Sequence, residues 1–273
     1  MSYAICAEAR SGSTLLCLSL IQLGIAGDPK EYFGGHVLGR PFQKESFEDF
    51  IARTLAYSKT SNGVSGIKLF MSHFDAIRRS SPRFGEIKDE QILKKLDLDR
   101  IILLQREDVL RQSISLYLAS QTQVWLLAKD KNKEGVTRKT ATPAYNRRKI
   151  HRAMRSITLN YERWQQCLAN SKTSYLKVSY EELTTNYELT MKRILDYLDL
   201  PIPTAHSFET MPTLKQADEL TEHFVRRYQN PSKVDKIFDV LDDFYVSVIR
   251  QKLKLTVLKS LELFKLRLDY NPG

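Results

Sequence analysis

The sequence predicts an α/β fold with a mainly parallel central sheet flanked by helices, on three observations. Short, nearly continuous apolar runs recur as "YAICA" (3–7), "VSGIKLFM" (64–71), "RIILLQR" (100–106) and "SYLKVS" (174–179), the pattern of strands covered on both faces. Stretches of helical periodicity lie between them. A tight, hydroxyl-rich turn joins the first run to the first helix, which is the strand-to-helix corner of layered α/β architecture.

Taken in order, the strand Tyr3 to Ala7 runs through "EARSGSTLLCLSL" (8–20) into a helix from Thr14 to Leu23. Such a corner is an anion site by construction, because the N–H groups of the first turn converge at the positive end of the helix dipole. Gly12 lets the backbone approach a ligand, Ser11, Ser13 and Thr14 offer hydroxyl donors and N-caps, and Arg10 adds a permanent charge on a planar fork. An ordinary helix cap without a ligand is the competing reading of the pentapeptide alone. The second strand carries Lys68 inside a buried-looking run, and such a lysine calls for an anionic partner, either a ligand or an internal carboxylate. After the third strand a helix is expected from Val109 to Leu127. The lysine-rich stretch from Lys129 to Pro143 lacks apolar periodicity and reads as a loop, either solvated or a lid. A long helix then runs from Asn146 to Leu168. Another, from Tyr187 to Leu198, stops at "LPIP", where proline cannot continue it. Beyond Pro231, apolar residues at Ile237, Val240, Leu241, Phe244, Val248, Leu253 and Val257 predict a helical extension. The expected division is a main domain of residues 1–230 and an extension of 231–273, which packs on the core, makes a homodimer contact or holds a partner protein.

Composition narrows the class. The 273 residues include 42% hydrophobic and 27% charged side chains, with a net charge of +10. That surplus favours anionic partners such as nucleotides, sulfated or phosphorylated ligands, nucleic acid or acidic lipid. Three cysteines, Cys6, Cys17 and Cys167, are odd in number and widely spaced in apolar contexts, so they read as reduced core thiols of a cytoplasmic protein. The run from Leu15 to Gly27 imitates a signal peptide. The segment before it is itself apolar and contains Glu8, whereas a signal begins basic and hydrophilic. No stretch reaches the roughly 18 apolar residues of a membrane-spanning helix.

The loop differs from the P-loop signature in lacking its glycine–lysine pair and the residues that wrap a triphosphate. No acidic residue closes "RIILLQ"; Arg106 follows instead. Transfer of a γ-phosphoryl group normally relies on a metal for charge neutralisation. A sulfuryl group carries less negative charge, and arginine, lysine and backbone amides suffice for it. Sulfuryl transfer without a metal therefore fits better than ATP hydrolysis. Two other readings are a nucleotide kinase on a degenerate P-loop, which a chelator would inactivate, and a nucleic-acid-binding protein. The latter draws on the net charge and on Arg148, Arg152 and Arg155 at helical spacing, although no nucleic-acid module is present.

Three ordered motifs, "RSGSTLL" (10–16), "GIAGDPKEYF" (24–33) and "QREDVLRQSISLYLASQTQVW" (105–125), resemble the mycobacterial trehalose 2-sulfotransferase type of bacterial sulfotransferase. Weaker likeness runs from Tyr3 to Tyr228 through "GIKLF" and "LKQADELTEHFVRRY". The resemblance implies a P-loop-like three-layer sulfotransferase fold with a C-terminal helical extension. It implies 3′-phosphoadenosine 5′-phosphosulfate as donor, no metal, and a hydroxyl of a sugar, glycan or glycolipid as acceptor. Arg10, Ser11, Gly12, Ser13 and Thr14 would cradle the 5′-phosphosulfate. Arg106 and Ser115 would hold the 3′-phosphate, with Ser113 as a substitute because the spacing differs by one residue from the animal pattern. Glu31 stands where the family places its general base, and His36 is the rival. Arg10 and Lys68 would stabilise charge on the sulfonate and leaving oxygen. Tyr32, Phe33, Gln121 and Trp125 are acceptor-pocket candidates, against which core packing competes. Gln216 matches a family segment near the nucleotide and receives no role. Acceptor specificity is expected in the divergent stretches Gly34 to Ser61 and Leu126 to Arg147.

Overall fold

The computed structural model describes residues 1–34, 45–80, 86–125, 143–202, 208, 210–212, 219–244 and 248. All four expected strands form: β1 (Ser2–Ala7), β2 (Ser65–Phe70), β3 (Arg100–Gln105) and β4 (Leu176–Ser179). They make one parallel sheet in the order β2-β1-β3-β4. Strand β1 is central, with Ile5 paired to Lys68 on one side and to Ile102 on the other.

Alternation along the strands sends side chains into two cores. On one face Ala4, Cys6, Ile67, Leu69, Ile101 and Leu103 meet helices α2 (Phe47–Tyr57), α3 (Met71–Ser80), α4 (Asp89–Lys95) and α6 (Arg147–Ser171). On the other, Tyr3, Ile5, Ala7, Ile102, Leu104 and Val178 meet α1 (Ser13–Gln22) and α8 (Tyr187–Tyr197). This is the three-layer α/β architecture expected. A third cluster joins α5 (Val109–Thr122) and α6 to α9 (Glu219–Gln229) through Ile114, Ile150, Phe224 and Val225. Between β4 and α8 lies a short helix, α7 (Tyr180–Thr185). All three cysteines are buried and free. Among the described residues, no helix is long and apolar enough to cross a membrane.

Two differences from the sequence reading have local causes. Helix α5 ends at Thr122, short of Leu127, because Gln123 turns left-handed at φ 59 and its N–H closes on Ala119 at 2.8 Å. Helix α2, absent from the sequence reading, begins where the Ser46 hydroxyl accepts the Asp49 N–H at 3.0 Å, an N-cap followed by acidic residues that suit the helix dipole. The stretch 129–142, together with His36 and Gln216, lies outside the described residues.

Beyond Pro231 the chain is helical over 233–244, and this segment corrects the nucleic-acid reading of α6. Arg148 and Arg152 both pair with the buried Asp242, at 3.0 and 2.7 Å, while Arg155 pairs with Asp243 at 2.7 Å. Arg147 completes the row on Asp239 at 2.6 Å. The basic face is thus taken up within the chain by an acidic one. The opposite side of 233–244 leaves Val234, Ile237, Val240, Leu241 and Phe244 exposed.

Candidate active site

The first strand-to-helix corner is built from two left-handed residues, Arg10 at φ 65 and Gly12 at φ 87. The Ser11 N–H bonds back to the Glu8 carbonyl at 3.2 Å, and α1 opens on the Gly12 carbonyl, which accepts from Leu16 at 3.1 Å. Gly12 is the N-cap, and no side chain caps this helix. The expected hydroxyl caps are therefore absent, and the first-turn amides stay available to a ligand. Glycine is required here twice over. Its φ is left-handed, and a Cβ would lie 2.5 Å from Cδ2 of Tyr180. The Ser11 hydroxyl is fully buried and, among the described residues, has no hydrogen-bond partner, an uncommon state for such a group.

Two arginines flank the loop. Arg10 donates from Nε to the Ser115 hydroxyl at 2.9 Å and from Nη1 to the Trp125 carbonyl. Burial first, and then the positive charge of Arg106, lower the Arg10 guanidinium below its ordinary range. Arg106 lies 4.5 Å above the Tyr180 ring and donates from Nη1 to the Arg10 carbonyl at 3.5 Å; among the described residues its buried Nε makes no hydrogen bond, and the Glu181 carboxylate lies 4.0 Å from it. Its backbone N–H is held at 3.0 Å by the Tyr161 hydroxyl, which donates to Gln112 at 2.8 Å, and Gln112 in turn donates to the Ala9 carbonyl at 2.8 Å. One relay from α6 through α5 therefore fixes both edges of the corner. Ser113, the substitute for Ser115, is buried and donates to the Val109 carbonyl at 2.6 Å.

Lys68 leaves β2 on the face that carries α1, since its partner Ile5 points that way. Its ammonium lies 2.7 Å from the Glu31 carboxylate and donates to the Thr14 hydroxyl at 3.5 Å. Lys68 is 8% exposed at the side chain and Glu31 36%, so the carboxylate is the more exposed member of the pair. Close by, His73 uses Nδ1 to accept the Phe70 N–H at 3.2 Å, which leaves the proton on Nε2. Burial pushes this imidazole down to about 4, against the pull of Glu31. It is therefore a neutral, weakly basic ring.

The acceptor-pocket candidates separate. Tyr32 and Phe33 are buried in the core; the Tyr32 hydroxyl donates to the Asp28 carbonyl at 2.6 Å, and Phe33 meets Phe50 edge-on at 5.2 Å. Adjacent apolar rings in a one-turn 3₁₀ segment (Tyr32–Gly34) fold inward because burial of aromatic area outweighs exposure. The Gln121 amide is engaged at both ends by the backbone of Ala144, at 3.1 and 3.3 Å. Only the Trp125 ring among the four is well exposed, at 48%.

Sequence reasoning missed Tyr180, Tyr161, Gln112 and Glu8. A signal existed for Tyr180, which directly follows the last strand at the carboxyl edge where open α/β sheets bind ligands. The others became visible only when α5 and α6 were packed on the sheet.

Fold and site together define a class: a three-layer α/β protein whose opening corner gathers amides, hydroxyls and two arginines, with a carboxylate–lysine pair alongside. The profile described as "Sulphotransf: Stf0 sulphotransferase" matches residues 2–231, and the chain belongs to that family of sulfotransferases. It is 24% identical to the trehalose 2-sulfotransferase of Mycolicibacterium smegmatis over 267 residues, covering 86% of this chain and 96% of that one. To the trehalose 2-sulfotransferase of Mycobacterium tuberculosis it is 24% identical over 261 residues, covering 83% and 94%. A solved structure, the sulfotransferase domain from the curacin biosynthetic pathway, aligns at a TM-score of 0.40 and 15% identity over 74% of this chain and 75% of that one.

Proposed function

We propose that this sulfotransferase moves a sulfuryl group from 3′-phosphoadenosine 5′-phosphosulfate to a hydroxyl of a sugar or glycan. The observation that carries the reading is the meeting of Glu31, Lys68 and Thr14 beside the anion corner. It sets a carboxylate beside a lysine ammonium and a hydroxyl of the first turn of α1, the groups an in-line transfer needs. The residues also fit the donor: the Ser11 hydroxyl and the Arg106 Nε are buried without a hydrogen bond among the described residues, and the like charges of Arg10 and Arg106 oppose each other where an anion would relieve them. The names of the two mycobacterial relatives favour a sugar acceptor.

When bound, the donor supplies a sulfuryl group activated by its bond to the 5′-phosphate. Glu31 receives the acceptor's hydroxyl proton as that oxygen bonds to sulfur and the sulfur–phosphate oxygen bond breaks. Lys68 and Arg10 place positive charge where the sulfonate and departing oxygen gain negative charge. The α1 amides and the hydroxyls of Ser11, Ser13 and Thr14 hold the 5′-phosphate, while Arg106 and Ser115 hold the 3′-phosphate. Residues 1–230 act as the catalytic domain in the cytoplasm, without a metal, and the exposed Trp125 ring offers a stacking surface to a sugar.

The deciding experiment combines the protein and donor with a panel of saccharides, with accurate-mass detection. The expected product has gained SO₃ and forms equally in the presence of chelator. A phosphorylated product, or activity abolished by chelator, overturns the proposal. Arg106→Ala is expected to weaken binding of adenosine 3′,5′-bisphosphate by about 10- to 100-fold, the scale of one or two charge-assisted hydrogen bonds. Calorimetry showing undiminished affinity would remove Arg106 from the donor site.

A further inference from the structure

Directly before the anion corner, Glu8 places a carboxylate inside the protein at 6% exposure. It points to the face opposite Lys68, where three neutral N–H groups from two other elements converge on it. The Met71 backbone, at the start of α3, donates to Oε1 at 3.2 Å. The Trp164 indole, from α6, donates to Oε1 at 3.1 Å, and the Asn160 amide, also from α6, donates to Oε2 at 2.9 Å. Among the described residues Glu8 forms no ion pair within 4.0 Å. The Glu8 carbonyl meanwhile holds the Ser11 N–H, and the next residue but one, Arg10, takes the left-handed turn. The carboxylate therefore ties the ends of β1 and β2 to the middle of α6 immediately beneath the loop. The same stretch of α6 supplies Tyr161, which braces Arg106.

We propose that Glu8 is a positioning residue for the donor: its carboxylate fixes the shape of the Arg10–Thr14 corner and takes up a proton when an anion binds there. The inference rests on the donor assignment above. The first half follows from the brace, since removing the carboxylate leaves three buried donors unpaired and the corner unanchored. The second follows from charge: a carboxylate without a paired cation, next to an anion site, is less favourable as an anion once the site fills. Burial already pushes Glu8 up to about 7, despite the hydrogen bonds from Asn160, Met71 and Trp164 and the charge of Arg163. The change thus falls near neutrality. The elements packed around Glu8 carry other charged or titratable groups: Arg163, Tyr161 and Cys167 on α6, Asp75 and His73 on α3, Lys68 on β2, Cys6 on β1 and Arg10 on the loop. Arg163 is itself bound to Asp75 and Asp89, each at 3.0 Å.

The sign is fixed by linkage. Anion binding raises the Glu8 titration point above its free value, so its contribution favours binding at pH below about 7 and disappears as pH rises past the bound-state value.

The test is calorimetry of the full chain with adenosine 3′,5′-bisphosphate between about pH 6 and pH 8. Glu8→Gln keeps the shape, because the Asn160 amide can turn to accept from the new side chain, and removes the charge. The bisphosphate's own ionisation is common to both proteins and cancels in the comparison. Relative to Glu8→Gln, the unaltered protein is expected to lose up to about tenfold in affinity across this range, the effect of a unit charge about 12 Å away in a dielectric near ~20. It is also expected to take up a fraction of a proton that Glu8→Gln does not. Asn160→Ala, which removes one bond to the charged form, is expected to move the transition to higher pH and serves if Glu8→Gln fails to fold. Identical pH dependence in unaltered and variant proteins overturns the inference while leaving the donor assignment intact. No binding of the bisphosphate by the unaltered protein at any pH overturns both.

Discussion

Glu31→Gln is expected to lower kcat by about 10²- to 10⁴-fold, the range of a lost general base, with donor affinity nearly unchanged. Glutamine keeps the size of the side chain and an oxygen that can meet the Lys68 ammonium, now 2.7 Å from the carboxylate. What it cannot do is accept the acceptor's proton. Single-turnover transfer from labelled donor measures the chemical step, and calorimetry with the bisphosphate measures the affinity. Full activity in the variant would move the base elsewhere, and His36 then becomes the residue to test. His73 is a poor replacement, because burial keeps it at about 4 and its Nδ1 already accepts the Phe70 N–H.

The second large effect is expected from Gly12→Ala. Holding alanine at φ 87 costs about 1–2 kcal/mol for the left-handed backbone. The added carbon also meets Tyr180 at 2.5 Å, and relief requires that ring to shift together with the Arg106 guanidinium stacked on it at 4.5 Å. Donor affinity is expected to fall at least tenfold, on the scale of one lost charge-assisted hydrogen bond. The melting temperature is expected to drop by about 4–8 °C, from ~2 kcal/mol in a chain of this size. A variant that melts and binds as before would mean that the corner does not need its left-handed turn.

The layers were legible because buried parallel strands advertise themselves: four apolar runs gave four strands, and "LPIP" marked the end of α8. The strand-to-helix corner was legible too, since "RSGST" stands between an apolar run and a helical pattern, although the pentapeptide alone fits a plain cap as readily as an anion site. What escaped was long-range. No local pattern distinguishes the inward-facing Tyr32 from the outward-facing Trp125, since an aromatic ring suits either place until neighbouring helices are set. Arg148, Arg152 and Arg155 read as a free basic face because their partners, Asp242 and Asp243, lie about ninety residues away. Glu8 read as a mere argument against a secretion signal, although its environment comes from Met71, Asn160 and Trp164.

The segment over 233–244 is built inside out. Its carboxylates are turned toward α6 and its apolar side chains toward water, so coulombic attraction does for it what oiliness does for the rest of the fold. Ions that shorten the reach of charge should loosen this attachment while kosmotropic salts tighten the two main cores. Limited proteolysis in rising sodium chloride is expected to clip the carboxyl-terminal region sooner and leave the sheet intact. Concentrated sodium chloride would act here as the solvent that peels one layer away.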